Sequence, residues 1–274
     1  MSTQPIGVFD SGYGGLTILE EIIKKLPEYD YLYLGDNARA PYGPRSFETV
    51  YQYTLQCVKW FFEQNCRLVI LACNTASAKA LRTIQQRDLP KINGGKRVLG
   101  VIRPTAEIIG NFTTTNAIGI LGTTGTVQSE SYPMEIKKFF PGANVFQQAC
   151  PLWAPLVENN EHEGSGADYF IEKNMHELLS QSERIDTILL ACTHYPLLYK
   201  KIRSMTPAYI NIISQGEIVA RSLENYLSRH PDIETECSKN GRITLCTTDS
   251  TADFDKHSAA FFAGSPGSVH IDLN

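Results

Sequence analysis

The chain has no basic tract: its 25 lysines and arginines are scattered among 29 acidic residues, for a formal net charge of -4. Electrostatics therefore gives no reason to expect nucleic acid or a membrane surface as a partner. No apolar run approaches the length of a membrane span. The opening Met1-Ser2-Thr3-Gln4-Pro5 leads straight into a short apolar run, without the charged region and long apolar stretch of an export signal. A cytoplasmic protein is expected. The seven cysteines are odd in number and none has CxxC spacing, which argues against a disulfide framework or a structural zinc site and for a reducing compartment. No His/Cys cluster has metal-ligand spacing, and no bound metal is expected.

What is present suits an ordinary globular chain. Its 274 residues, 42% hydrophobic and 20% charged, are enough for one large α/β domain or two small ones. Short apolar runs at 6–9, 31–34, 68–72, 98–101, 117–121, 187–191 and 243–246 end in small or turn-forming residues and read as buried strands. Helical patterns lie between them at 16–26, 47–64, 76–86, 133–140, 169–179 and 217–230, with polar or glycine-bearing loops at 91–96 and 160–166. Alternating strand and helix implies parallel sheets covered on both faces.

A weak internal repeat runs through this pattern. Ile6-Gly7-Val8-Phe9-Asp10-Ser11-Gly12 is answered by Ile118-Gly119-Ile120-Leu121-Gly122-Thr123-Thr124. Further on, Ile70-Leu71-Ala72-Cys73-Asn74-Thr75 is answered by Leu189-Leu190-Ala191-Cys192-Thr193-His194. Two matches in the same order suggest two similar lobes. Ligands of open parallel sheets bind beyond the carboxyl ends of the strands, where Cys73 and Cys192 both sit. Lobes facing each other would put these thiols on opposite sides of one cleft.

A cysteine in a helix or strand pattern without polar company is a small buried hydrophobe, which accounts for Cys57, Cys66, Cys150, Cys237 and Cys246. Cys73 and Cys192 differ, because each lies where a strand meets a polar turn and a helix start. Such a position favours thiolate and allows proton exchange near neutral pH. Two matched thiols fit a task needing one proton group on each face, such as inverting a stereocentre. Glycines in Asp10-Ser11-Gly12-Tyr13-Gly14-Gly15 let the backbone approach a ligand. Asp10 is read as pairing with an ammonium or tuning Cys73, and Ser11 as a hydrogen-bonding group; a capping aspartate in a glycine turn is the plain alternative. In Pro41-Tyr42-Gly43, the N–H groups of Tyr42 and Gly43 are placed to hold a carboxylate. Asn74, Thr75, Thr123 and Thr193 are neutral polar groups beside the cleft, each equally suited to capping a helix. His194 is placed to set the protonation of Cys192 or to stabilise charge on the substrate, a structural histidine being the plain alternative. Glu158 by itself reads as a solvated acid.

These blocks resemble the glutamate racemase family. They are Phe9-Asp10-Ser11-Gly12 with Gly14-Gly15, Ala38-Arg39 with Pro41-Tyr42-Gly43, Ala72-Cys73-Asn74-Thr75-Ala76-Ser77, Gly100-Val101-Ile102, Gly122-Thr123 with Thr126, and Leu190-Ala191-Cys192-Thr193-His194-Tyr195-Pro196. The resemblance implies two flavodoxin-like α/β lobes with mostly parallel sheets, one at 1–98 plus 210–274 and the other at 99–209, and an active site in the cleft between them. It implies cofactor-independent interconversion of L- and D-glutamate, supplying D-glutamate for peptidoglycan, by a commonly homodimeric enzyme without pyridoxal phosphate or metal. By match it assigns Cys73 and Cys192 as the bases and Asp10, Glu158 and His194 as supporting catalytic groups. Ser11, Tyr42, Gly43, Asn74, Thr75, Thr123 and Thr193 surround the substrate, with Pro41 beside them. Arg103 stands where many members carry an acid, which would reverse a charge if it reached the cleft or a dimer interface. The extended, nucleotide-precursor-activated subtype is not expected.

Other functions share parts of this pattern. A racemase for aspartate, a hydantoin or a related acid would keep both cysteines. A two-lobed binding protein would need no thiol. A cysteine hydrolase would use Cys192 with His194 and leave Cys73 without a task.

Overall fold

In the computed structural model, which describes residues 4–92 and 95–273, the strands are β1 Ile6–Asp10, β2 Tyr31–Gly35, β3 Leu68–Leu71, β4 Arg97–Gly100, β5 Ala117–Gly122, β6 Asn144–Ala149, β7 Thr187–Ala191, β8 Asn211–Ile213, β9 Ile243–Thr247 and β10 Ser268–His270. They form a six-stranded sheet in the order β10-β9-β2-β1-β3-β4 and a four-stranded sheet in the order β6-β5-β7-β8. The pairings within both sheets are parallel. The expected two-sheet α/β architecture is therefore present. All seven expected strands and all six expected helices form, with one helix interrupted.

Strand alternation builds two cores from one sheet. Ile6 and Val8 of β1 join Tyr31, Tyr33, Leu68 and Ile70 beneath the helix Leu16–Lys25. Phe9 points the other way and joins Leu34, Val69 and Leu71 beneath the helix Phe47–Glu63. Gly7 permits the close packing of that helix: a Cβ there would lie 2.7 Å from Cδ1 of Phe61. In the smaller sheet, Ile118, Ile120 and Leu189 pack against Tyr132 and Ile136 of the helix Ser131–Phe139.

The chain leaves the large sheet after β4 and returns to it after β8, through the helix Gly216–Arg229, which packs on Leu16–Lys25. The expected divisions at 98/99 and 209/210 are corrected by the strand pairing. β4 pairs with β3 through Gly100, and β8 pairs with β7 through Ile213; the first division cuts a strand and the second puts β8 on the wrong side. Asp186, just before β7, ties the connection into the smaller sheet. Its carboxylate accepts from Thr114 N at 2.7 Å, Thr114 Oγ1 at 2.9 Å and Thr115 N at 3.0 Å, and from the Thr113 hydroxyl. The expected helix at 76–86 is broken at Ala80 and continues through a π turn at Ile84–Asp88. Residues 93–94 of the expected loop at 91–96 lie outside the described residues. The loop expected at 160–166 already becomes helix at Ser165.

Candidate active site

Parallel pairing brings the carboxyl ends of β1, β2 and β3 to one edge of the large sheet, and those of β5, β6 and β7 to one edge of the smaller sheet. The loops after these strands enclose a cavity of about 150 Å³. Ser11, Pro41, Tyr42, Gly43, Cys73, Asn74, Thr75, Thr123, Glu158, Cys192, Thr193 and His194 all line it. Asp10 alone among the expected residues does not; it lies fully buried behind Ser11. A larger open groove of about 600 Å³ behind the helix Leu16–Lys25 contains neither Cys73 nor Cys192.

Cys73 caps the helix Asn74–Lys79, its Sγ accepting from Ala76 N at 3.4 Å. The same thiol stands 3.6 Å from Ser11 Oγ. Burial is the chief influence on its acidity, and the carboxylate of Asp10 adds to it; the Ala76 N–H and the Ser11 hydroxyl oppose them without prevailing. The thiol is pushed up to about 12. The helix start therefore does not make Cys73 a thiolate as its position in the sequence suggests, because desolvation of the charged form outweighs one N–H contact. Asp10 is itself raised by burial, against the pull of His194 and the N–H groups of Gly15 and Gly12. Its Oδ2 accepts from Gly12 N at 3.1 Å.

The other thiol has different company. Cys192 Sγ lies 3.8 Å from Nδ1 of His194. On the far side of the ring, Glu158 Oε1 stands 3.0 Å from Nε2 as an ion pair rather than an aligned hydrogen bond. Burial works against the imidazolium, but Cys192 and Glu158 outweigh it and hold the histidine well above its ordinary range. Glu158 is thus half-buried and paired with His194, not a solvated acid. Phe261 packs edge-on against the His194 ring, with centroids 5.4 Å apart. Gly14 closes the other flank: a Cβ there would meet Thr193 Oγ1 at 2.3 Å and His194 Nδ1 at 2.6 Å.

Hydrogen bonds join the lobes around the cavity. Thr75 Oγ1 and Thr123 Oγ1 are 2.9 Å apart, and Thr123 caps its own helix through Thr126 N. The Asn74 side chain turns into a buried ring. It donates to Gln215 Oε1 at 2.8 Å, Gln215 donates to the Tyr132 hydroxyl at 2.8 Å, and that hydroxyl donates back to Asn74 Oδ1. Gln215 also reaches Thr105 Oγ1 at 2.8 Å. The Tyr42 hydroxyl donates to the buried Asp36, which also holds Arg39 at 2.7 Å. Arg103 does not reach the cavity; it is exposed and paired with Glu107 at 2.9 Å.

Several lining residues are not apparent from sequence patterns. Cys150, Pro151, Ala154 and Pro155 form the wall after β6. β6 reads Asn144-Val145-Phe146-Gln147-Gln148-Ala149 and is half-exposed, so it carries no apolar run. Recognising it as a strand would have placed the next loop at the cleft. Among the described residues, no group of three or more His, Cys, Asp or Glu side chains could hold a metal ion, and no helix is long and apolar enough to cross a membrane.

The Asp/Glu/hydantoin racemase family profile matches residues 7–223. The chain is 35% identical to a glutamate racemase of Streptococcus suis over the full length of both, and 36% identical to one of Geobacter metallireducens over 98% of this chain and 97% of that one. A glutamate racemase isoform from Bacillus anthracis superposes with a TM-score of 0.89 at 33% identity, covering 100% of this chain and 99% of that one. The Francisella tularensis glutamate racemase in complex with D-glutamate gives a TM-score of 0.86 at 28% identity, covering 100% and 99%. With a sheet-and-cleft frame shared over its whole length, the chain belongs to the Asp/Glu/hydantoin racemase family and is an isomerase, an amino-acid racemase.

Proposed function

We propose that this protein is a glutamate racemase that inverts Cα by passing protons through two cysteines, with neither metal nor pyridoxal phosphate. One observation carries the reading: two thiols from corresponding strand ends line one cavity in unlike surroundings. Cys73 sits among groups that favour the neutral thiol, whereas Cys192 has the His194 ring 3.8 Å from its Sγ, with Glu158 paired to the ring's far side. Such a pair is set for transfer in one direction. The Cys192 thiolate takes the Cα proton of one enantiomer; the Cys73 thiol gives its proton to the opposite face. The reverse reaction starts from the opposite protonation state.

His194 balances charge at Cys192 and Glu158 balances His194, whereas Asp10 favours the neutral, proton-giving form of Cys73 and the Ser11 hydroxyl lies beside that thiol. Pro41, Tyr42, Gly43, Asn74, Thr75, Thr123 and Thr193 surround the substrate, the side chain of Asn74 serving to fix its turn. The glutamate assignment follows the relatives that match end to end. A cytoplasmic homodimer supplying D-glutamate for peptidoglycan fits this chemistry.

Circular dichroism of D-glutamate incubated with the protein tests the proposal, after dialysis against chelator and with no cofactor added. Decay of the signal to zero is expected, with D-aspartate decaying far more slowly. A stable signal, or decay only on adding metal or pyridoxal phosphate, would overturn it.

A further inference from the structure

The residues lining the cavity include no lysine or arginine. Apart from the thiols and the Tyr42 phenol, their ionisable members are Glu158 and His194, both on the Cys192 side. A substrate with a second carboxylate thus meets a neutral wall elsewhere. Behind part of that wall stands a buried lysine.

Lys79 ends the helix that Cys73 begins and is only 6% exposed. Its Nζ donates to the carbonyl of Arg45 at 2.6 Å and lies 5.1 Å from the centroid of the Phe47 ring. Both contacts favour the charged ammonium, against the burial that lowers its pKa. Among the described residues, no carboxylate stands within ion-pair distance of it. Gly125 donates to Gly43 O at 2.9 Å. A Cβ on Gly125 would come within 2.7 Å of that oxygen and 2.8 Å of Lys79 Nζ. The ammonium, Gly125 and Gly43 therefore meet at one point, and Gly43 and Thr124 face the cavity.

We propose that Lys79 is a positioning and specificity residue for amino acids with an anionic side chain: it pins the segment from Gly43 to Arg45 and sets a positive charge behind the neutral wall that receives the second carboxylate. This rests on the racemase reading above and deepens it. The charge acts through the wall, so it strengthens binding of an acidic side chain without entering the proton transfer.

The test compares Lys79→Met, Lys79→Gln and Lys79→Arg in the full-length protein. Kinetics with D-glutamate are read beside inhibition constants for glutarate and its monoamide, which differ in one negative charge. Lys79→Met is expected to raise KM about tenfold, the effect of one charge across several Å of protein, with kcat within about twofold. Glutarate weakens in parallel, and the monoamide holds within about twofold. Lys79→Gln, which keeps a donor for Arg45 but no charge, behaves like Met, and Lys79→Arg recovers KM. Equal weakening of both inhibitors, or a normal KM in the Gln variant, would reduce Lys79 to a structural pin and overturn the proposal. If the native protein leaves glutamate unchanged, the racemase reading fails first; glutarate and monoamide binding by calorimetry then still decides whether Lys79 selects charge.

Discussion

Asn74 of the large-sheet lobe and Gln215, at the start of the helix Gly216–Arg229 through which the chain returns to it, are joined by a 2.8 Å hydrogen bond that Tyr132 closes into a ring. The residue after Cys73 is thereby tied to both places where the chain passes between lobes, since Gln215 also reaches Thr105 and the Val101 carbonyl at 3.2 Å. Gln215→Leu strands the buried polar ends of Asn74 and Tyr132 and should cost about 2–3 kcal/mol. A denaturant midpoint unchanged from the native protein would show the ring to be dispensable.

Cys73→Ala and Cys192→Ala should each lower racemisation by at least about a thousandfold, within the range for one general acid or base, with the fold retained. Far-ultraviolet circular dichroism checks folding beside the activity assay. Full turnover in either variant would rule out a two-base mechanism.

His194→Asn and Asp10→Asn should lower kcat far more than they raise KM, since His194 lies against the Cys192 thiol and Asp10, buried outside the cavity, acts on Cys73 through its charge. In the native protein the kcat profile should show no inflection at histidine's ordinary value near 6.5. The sign follows from the environment: the raised pKa of His194 keeps the imidazolium through neutral pH, and the charge is lost only as pH rises through the folded value. A break near 6.5, or variants altered in KM alone, would make these residues binding groups.

In deuterated water, product formed early from either enantiomer should carry deuterium at Cα, while unreacted substrate stays protiated. The donating thiol equilibrates with solvent before each turnover, whereas the abstracting one holds the substrate's own proton. Proton NMR of the first few per cent of product reads this directly. Retained protium would point to a single base serving both faces.

Asp186 offers a test of stability apart from the chemistry. Burial opposes its charged form, but the donors of Thr113, Thr114 and Thr115 prevail and bring its pKa down to about 2. A depressed carboxylate stabilises the fold above its unfolded pKa, near 3.9, and loses that contribution as pH falls through the folded value. Asp186→Asn should therefore cost about 2 kcal/mol at pH 7 and little at pH 2. Urea titrations at the two pH values compare them, and equal losses would refute the assignment.

The frame was legible where burial is two-sided. β1, β3 and β7 are continuous apolar runs because helices cover both faces, and Cys73 and Cys192 stood out as polar breaks at their ends. β6 and β8 were not legible: they are the two edges of a four-stranded sheet, short or half-exposed, and need no apolar run. β10 was hidden for the same reason, as an exposed edge of the large sheet. The acidity of Cys73 and the ring through Gln215 arise from residues far apart in the chain, and no local spacing announces them. Lys79 falls within the run at 76–86 that reads as helix, and nothing local to that run marks the contact with the loop at 43–45 that buries it.

An imidazole accompanies only one of the two thiols, yet mirror-image substrates have equal free energies in water. The equilibrium constant between them is one, and thermodynamics fixes the ratio kcat/KM at the same value in both directions. The unlike flanks of the cavity can therefore favour neither hand overall. What they do set is where along the path the highest barrier lies, and which protonation form of the free enzyme accumulates between turnovers. At high substrate, conversion of that form to the other becomes a step of its own, slow or fast according to how easily His194 and Asp10 let a proton reach solvent.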